Sequence, residues 1–218
     1  MSKKVGVLLS GCGFLDGAEI HEAVLTMLYL DQAGAEIICM APDIPQAHVI
    51  NHLTNEETGE SRNVLVESAR IARGDIKDLK DINADDIDAL ILPGGFGAAK
   101  NLSDFAFKGP GCDVNPEVKS LLEEMLKKHK PICAFCIAPA TVGAALKTHS
   151  PEVTVGSHEE TIMALNALGV KHTVCAVDEI AVDEKNKIVS APAYMLGPGI
   201  KDIAKGIEKG VNKLLSMI

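Results

Sequence analysis

Cys136 is the residue best placed for covalent chemistry, within residues 130–143, KPICAFCIAPATVG. It separates an apolar, strand-like run from a helical run of small residues. A nucleophile on a sharp strand-to-helix turn holds strained backbone and needs small neighbours two positions away, as Ala134 and Ala138 are. The N-terminus of the helix that starts near Ala138 would also stabilise a thiolate. The pattern predicts a nucleophilic cysteine, and a buried structural cysteine is the alternative.

Two further strand ends carry candidate site residues. In LPGGFGAAKNL, Gly94 and Gly95 form a turn whose backbone N–H groups could hold a developing oxyanion, although a plain tight turn explains the glycines as well. In SGCGF, Cys12 follows the first strand and therefore reaches the same sheet edge, where it either lines the pocket or packs.

The spacing of CAFC, residues 133–136, raises redox and zinc chemistry as alternatives. Side chains three apart on a strand leave from opposite faces, so a disulfide would require a broken strand, and Cys133 is predicted to be core. No second cysteine pair or histidine cluster has zinc spacing. GCGFLDG lacks the glycine order of a dinucleotide site. We therefore expect no metal and no cofactor.

Strand-like and helix-like runs alternate along the chain and predict a mainly parallel α/β sheet. Strands are predicted at 5–9, 35–42, 88–95 and 130–135, helices at 18–34 and 115–130, and a closing helix at the end. Residues 43–87 read as an insertion over one sheet edge, and residues 179–195 as a hairpin. Without repeats or a linker, the pattern predicts a single domain over residues 1–218.

The amino-acid composition argues against some classes of binding partner and favours one cellular compartment. The net charge is −9, with five Phe, two Tyr and no Trp, which argues against a nucleic-acid surface. No run approaches the length of a membrane helix, and the N-terminus lacks a signal-peptide pattern. The six scattered cysteines then predict reduced thiols in a cytoplasmic protein.

Longer motifs give the chain a family resemblance. With its A-x-C-x-A turn, LPGG and DGAEIHEA, it resembles the PfpI/amidotransferase-like superfamily, and VLLSGCGFLDGAEIHEAVLTMLYL and ESRNVLVESARIARG are similar to the ElbB branch. The resemblance implies a flavodoxin-like α/β sandwich of the class I glutamine amidotransferase type, a homodimer, and a cysteine facing Glu22 of the first helix. Glu19, one turn earlier, is interpreted as a residue that complements the helix dipole.

The resemblance also implies the remaining site residues. Backbone N–H groups of Gly95 and Ile137 would hold the oxyanion, and Gly94 would permit the turn. His158, in VGSHEET, stands where several relatives place a histidine, although a surface-loop histidine is an equal interpretation. Ile137 replaces the histidine that protease-like relatives carry after the cysteine, which argues against proteolysis. The HEE motif lies too close to Cys136 in sequence for a glutaminase.

The activity that the resemblance implies is cofactor-free conversion of glyoxal to glycolate, with glyoxal preferred over methylglyoxal and over peptides. Cys136 would form a hemithioacetal and Glu22 would act as acid and base. The alternative is a redox-sensing or stress-response binding protein that uses oxidation of Cys136 without significant turnover. Expected partners are a small dicarbonyl and a second copy of the chain, with neither nucleic acid nor membrane.

Overall fold

The structure is a computed structural model that describes residues 2–218. Its strands are short apolar runs of the sequence, and its helices are amphipathic runs or runs of small residues. The strands are β1 (Lys4–Leu8), β2 (Glu36–Ala41), β3 (Ile50–Asn51), β4 (Glu56–Glu57), β5 (Lys77–Asp78), β6 (Ala89–Leu92), β7 (Ile132–Phe135), β8 (Glu152–Val153), β9 (Lys171–His172), β10 (Ala181–Asp183) and β11 (Ile188–Ala191). The helices are α1 (Ile20–Gln32), α2 (Val64–Ile71), α3 (Phe96–Lys100), α4 (Phe105–Lys108), α5 (Pro116–Lys127), α6 (Ala138–Ala145), α7 (Glu159–Ala167) and α8 (Ile200–Ser216).

The central sheet has seven strands in the order β10-β11-β7-β6-β1-β2-β5. Every neighbouring pair is parallel except β10 and β11, which form an antiparallel hairpin. Helical crossovers cover both faces, as parallel pairing requires. The predicted α/β sandwich with a mainly parallel sheet is confirmed.

Two hydrophobic cores lie on opposite faces of this sheet because successive side chains of a strand point in opposite directions. Leu92 belongs to the core that includes Leu122 of α5. Ile91 and Phe135 belong to the core that includes Ile207 of α8. Burial on both faces explains why the strands read as continuous apolar runs in the sequence rather than as alternating ones.

The two segments predicted as an insertion and a hairpin supply the strands at the two edges of the central sheet. The predicted hairpin at residues 179–195 is present as β10 and β11, and β11 also pairs with β7. From the insertion at residues 43–87, β5 forms the opposite edge beside β2. Neither α3 nor α7 was predicted from the sequence. The single domain stays a prediction.

The strand order creates a crevice at one edge of the sheet. From β1 the chain first adds β2 on one side and later adds β6, β7 and β11 on the other. In such sheets the point where the order reverses, beyond the carboxyl ends of the strands, is where ligands bind. Within residues 2–218, none of the helices combines the length and apolar character that crossing a membrane requires.

Candidate functional site

Cys136 occupies a strained turn between β7 and α6. Its φ is 58°, in the left-handed region, which costs a non-glycine residue about 1–3 kcal/mol. Its N–H donates to the carbonyl of Ala191 at 3.0 Å, which holds the turn against β11. Ala134 and Ala138 are fully buried, and larger side chains would have no room. This is the geometry of a nucleophile elbow.

Gly94 and Gly95 approach the elbow from the end of β6. A Cβ on Gly94 would lie 2.6 Å from Oε2 of Glu22 and would collide with Cβ of Cys136. Gly95 has a φ of 92° and begins α3, and a Cβ there would collide with the backbone of Gly17. Glycine is needed at both positions because the backbone comes so close to the cysteine and to α1.

Gly94→Ala should therefore lower the free energy of unfolding by about 1–3 kcal/mol, because the methyl group forces the elbow and α1 apart. The matched control is Gly59→Ala, since a Cβ there meets nothing within 4 Å and no unusual φ is needed. Urea unfolding of both variants measures the difference. Stability of Gly94→Ala equal to that of the parent would show that the elbow is loosely packed.

Glu22 projects from the first turn of α1 into this junction and is fully buried. Its Oε2 accepts a hydrogen bond from the N–H of Gly94 at 2.8 Å, and its Oε1 accepts one from the N–H of Tyr194 at 3.2 Å. The Cys136 side chain lies against the same glycine, since a Cβ on Gly94 would collide with Cβ of Cys136. Burial raises the pKa of Glu22 to about 8, and the two hydrogen bonds oppose the shift.

Burial also dominates the electrostatics of the cysteine. It raises the pKa of the Cys136 thiol well above its ordinary value, and the charge of Glu22 raises it further. Hydrogen bonds from the N–H groups of Gly95 and Ile137 lower it. Burial therefore opposes the thiolate that the N-terminus of α6 was expected to stabilise, because desolvation is the larger effect on the thiol. The oxyanion role of Gly95 and Ile137 stays a prediction.

Glu19 has a different position from Glu22 on the same helix. Its Oε2 accepts the N–H of Glu22 at 2.7 Å, so it caps the start of α1. Its Oε1 lies 3.8 Å from Nδ1 of His21, and the residue also lines the site cavity. Burial raises the pKa of Glu19. The contacts agree with the sequence interpretation of Glu19 as a helix-start residue.

A cavity of about 350 Å³ opens above the Cys136 thiol. Besides the thiol and Glu19, its principal lining side chains are Phe14, Phe96, Ile137, His158, Tyr194 and Met195. His158 precedes α7, and its Nδ1 faces Oγ1 of Thr161 at 2.9 Å, so this nitrogen is engaged at the helix start.

Cys12 is the one predicted site residue that lies elsewhere. Among the residues that the structure describes, those lining the cavity do not include it. Its charged neighbours are Glu67 and Arg70 of α2, together with Asp16. Gly11, beside it, donates its N–H to Oγ of Ser68 in α2 at 2.9 Å, so this part of the loop faces the insertion, while Phe14 further along reaches the cavity. Sharing a sheet edge was therefore not enough to bring the two thiols together.

Sequence reasoning missed Tyr194, which follows β11. Ala193 has a φ of 43°, and this turn brings the next N–H to Glu22. The phenol oxygen of Tyr194 lies 2.8 Å from Nδ1 of His21, at the cavity rim. A backbone donor leaves no signal in a single sequence. A prediction that β11 pairs in parallel with β7 would have placed the end of β11, and so Tyr194, at the same sheet edge as Cys136.

The remaining thiols and acidic groups form no second reactive centre around the elbow. Cys133 is fully buried in the core between the sheet and α8, and both it and Cys136 are free thiols. Across residues 2–218, no three or more His, Cys, Asp or Glu side chains are grouped so that they could hold a metal ion. The arrangement can therefore form a covalent adduct at Cys136 and move protons at Glu22.

A cysteine elbow paired with a buried glutamate, at the switch point of a parallel sheet, defines a cysteine-centred protein with the class I glutamine amidotransferase-like fold. The chain belongs to the DJ-1/PfpI family, whose sequence profile matches residues 12–195. The match includes Cys136, Glu22 and both glycines of the turn.

Similar proteins agree with this assignment. The human protein named glutamine amidotransferase-like class 1 domain-containing protein 3, mitochondrial, is 48% identical over 224 residues, covering 98% of this chain and 83% of that protein. The crystal structure of an isoprenoid biosynthesis protein with amidotransferase-like domain from Ehrlichia chaffeensis is 38% identical, has a TM-score of 0.92 and covers 99% of this chain and 100% of its own. Glyoxalase III of Candida albicans, at 13% identity, shares the fold with a TM-score of 0.62 and covers 99% and 97% of the two chains.

The predicted cytoplasmic location is wrong in the light of these relatives, because the human one is a mitochondrial protein by name. The prediction depended on six free thiols and on the pattern of the N-terminus. Free thiols indicate reducing surroundings, but they do not distinguish one reducing compartment from another.

Proposed function

We propose that this protein is a cofactor-independent glyoxalase of the ElbB branch, which converts glyoxal to glycolate through Cys136 and Glu22. One observation carries the proposal. The Glu22 carboxyl and the Cys136 side chain lie against the same glycine, since a Cβ on Gly94 would sit 2.6 Å from Oε2 of Glu22 and would collide with Cβ of Cys136. Gly95 and Ile137 line the cavity beside the thiol. A nucleophile, a base and two oxyanion donors therefore surround one point. Similarity to the Ehrlichia protein supports the branch.

In the first step the Cys136 thiolate forms only as its sulfur attacks the substrate. Glu22 takes the thiol proton as the sulfur attacks one aldehyde carbon of glyoxal. The carbonyl oxygen gains negative charge and is held by the N–H groups of Gly95 and Ile137 until Glu22 returns that proton to it, which gives a hemithioacetal and a free Glu22 carboxylate. A carboxyl with a pKa of about 8 exchanges protons readily near neutral pH.

The second step moves hydrogen within the substrate. Glu22 removes the C–H proton of the hemithioacetal carbon and returns a proton to the neighbouring carbon through an enediol. The first carbon becomes a thioester carbonyl and the second becomes a hydroxymethyl group. Water then cleaves the thioester and releases glycolate and the Cys136 thiol. One glyoxal and one water give one glycolic acid, so the oxidation of one carbon balances the reduction of the other.

A redox-sensing role for Cys136 is the second candidate. The carboxyl beside the sulfur could hydrogen-bond a sulfinate, which favours this role. The raised pKa of the thiol and its 8% exposure disfavour it, because oxidation follows thiolate character and access. A sensor would consume peroxide stoichiometrically and leave glyoxal unchanged.

Glycolate formation from glyoxal tests the proposal directly. Protein treated with EDTA and supplied with no cofactor should show repeated turnover, because every group in the proposed steps is a protein group. Glycolate is quantified by chromatography against a protein-free control. Activity that requires an added metal ion, or product limited to one equivalent per protein, would refute the proposal.

The homodimer also stays a proposal. Ile20, Val24 and Leu28 form an exposed apolar row along α1, and a second copy of the chain is the partner we propose for it. A solution mass of one chain would contradict this. His158 and Cys12 have no step in the proposed mechanism.

A further inference from the structure

The cavity above the thiol is far larger than glyoxal. Its volume of about 350 Å³ falls in the range of about 300–1,000 Å³ that pockets for drug-sized ligands occupy. Because one water takes up about 30 Å³ of liquid, a two-carbon substrate would leave room for several waters beside the reacting carbons. A site that must protect a hemithioacetal and an enediol from solvent is better filled by a larger substrate.

The walls of the cavity show what would fill it. Phe14 and Phe96 stand at the mouth with 46% and 45% of their surface exposed, and Ile137 and Met195 also line the cavity. The ring of Tyr194 completes the wall. Aromatic rings and a thioether favour an aromatic or branched apolar group through ring stacking and sulfur–ring contacts.

Charge in the cavity excludes a different set of substrates. No lysine or arginine is among the described residues that line it, and Glu19 contributes a carboxyl group. Inside the cavity an anionic substrate would therefore lose hydration without gaining a cationic partner. The ammonium group of Lys100, which is not a lining residue, lies 5.2 Å from the centroid of the Phe96 ring.

We propose that the site takes neutral α-oxoaldehydes that carry an aryl or branched alkyl group, rather than glyoxal itself, as its preferred substrate class. This inference rests on the proposed function. The aldehyde carbon would lie at Cys136, with its oxygen on the N–H groups of Gly95 and Ile137. The apolar group would lie against Phe14 and Phe96. The preference for glyoxal that was expected from Ile137 alone is revised, because Ile137 is one part of a larger apolar wall.

Three dicarbonyl substrates test separately how substrate size and substrate charge affect turnover. Glyoxal, phenylglyoxal and 4-carboxyphenylglyoxal are compared by kcat/KM, each normalised to its rate of hemithioacetal formation with a free thiol. Phenylglyoxal should exceed glyoxal by about 10-fold or more, in line with the 10–200-fold discrimination of apolar pockets. The carboxylated analogue, equal to phenylglyoxal in ring size, should fall about 10-fold or more below phenylglyoxal.

A substitution in the apolar wall then tests whether this wall causes the preference for phenylglyoxal. Phe96→Ala should lower the phenylglyoxal-to-glyoxal ratio about 10-fold. The matched control is Phe107→Ala, an exposed ring that packs on His48 outside the cavity, and it should leave the ratio unchanged. If Phe96→Ala folds poorly, Phe96→Leu replaces it in the test. Leucine retains an apolar side chain, so this variant should give a ratio between those of the parent and the alanine variant.

The outcomes distinguish the two proposals. Turnover of glyoxal with no gain for phenylglyoxal would overturn the substrate class and leave the glyoxalase proposal standing. Equal rates for phenylglyoxal and its carboxylated analogue would overturn the exclusion of anions. Failure of all three dicarbonyls to turn over would overturn the glyoxalase proposal and this inference together.

Discussion

Cys136→Ala should reduce glycolate formation to the protein-free background, a loss of about 10³-fold or more, as expected when the nucleophile of a catalytic unit is removed. Alanine retains the Cβ at the strained position and removes only the sulfur. The proposed reaction then lacks the atom that forms the hemithioacetal. Steady-state glycolate production by parent and variant, with thermal unfolding to verify that both fold, measures the effect.

The matched control is Cys175→Ala. This cysteine is also buried, and its polar neighbours are Thr154, Glu152 and Glu179 rather than residues of the elbow. It should retain the parent's turnover. Residual activity in Cys136→Ala above a few per cent of the parent rate would mean that another group attacks the substrate, and the proposed mechanism would fail.

The elbow could be predicted from sequence because it depends on local features. A buried apolar run, small residues at Ala134 and Ala138, and a helix start nearby are contiguous in the chain. Such patterns report backbone geometry directly. The main strands and the hairpin were predictable for the same reason. The partner carboxylate, Glu22, came from family resemblance, since nothing in the local pattern relates residues so far apart in the chain.

What the sequence could not provide is the lateral order of strands and the degree of burial. Tyr194 reaches Glu22 because β11 pairs with β7, and an apolar run does not reveal its neighbour in the sheet. Phe14 and Phe96 come from separate loops that meet only in the folded chain, where the N–H of Phe96 donates to the carbonyl of Phe14. Burial likewise reversed the expected ionisation of Cys136.

Glu22→Gln should abolish turnover to a similar extent while leaving Cys136 able to bind a dicarbonyl as a hemithioacetal. An amide cannot accept the thiol proton or carry a proton between the two carbons. The adduct should be visible by native mass spectrometry as a mass increase of one dicarbonyl on the variant. The matched control is Glu19→Gln, whose carboxyl caps α1 rather than contacting the sulfur, and it should cost no more than a few-fold in rate. The reverse ranking would assign the acid–base role to Glu19.

The same substitution has a second readout that depends on pH. The pKa of Glu22 is about 8 in the folded protein and 4.5 for an unperturbed glutamate, so between these values the folded chain retains a proton that the unfolded chain has lost. The parent's free energy of unfolding should therefore fall as pH rises from 5 to 8, with Glu22 contributing at most about 1.4 kcal/mol per pH unit. Glutamine does not titrate, so Glu22→Gln should lose this slope, although it leaves one backbone N–H without an acceptor and lowers stability at pH 5. Urea unfolding at several pH values measures both curves. Parallel curves would show that Glu22 is ionised in the folded protein near neutral pH, and it would then be too weak a base to take the proton of a thiol whose pKa burial has raised.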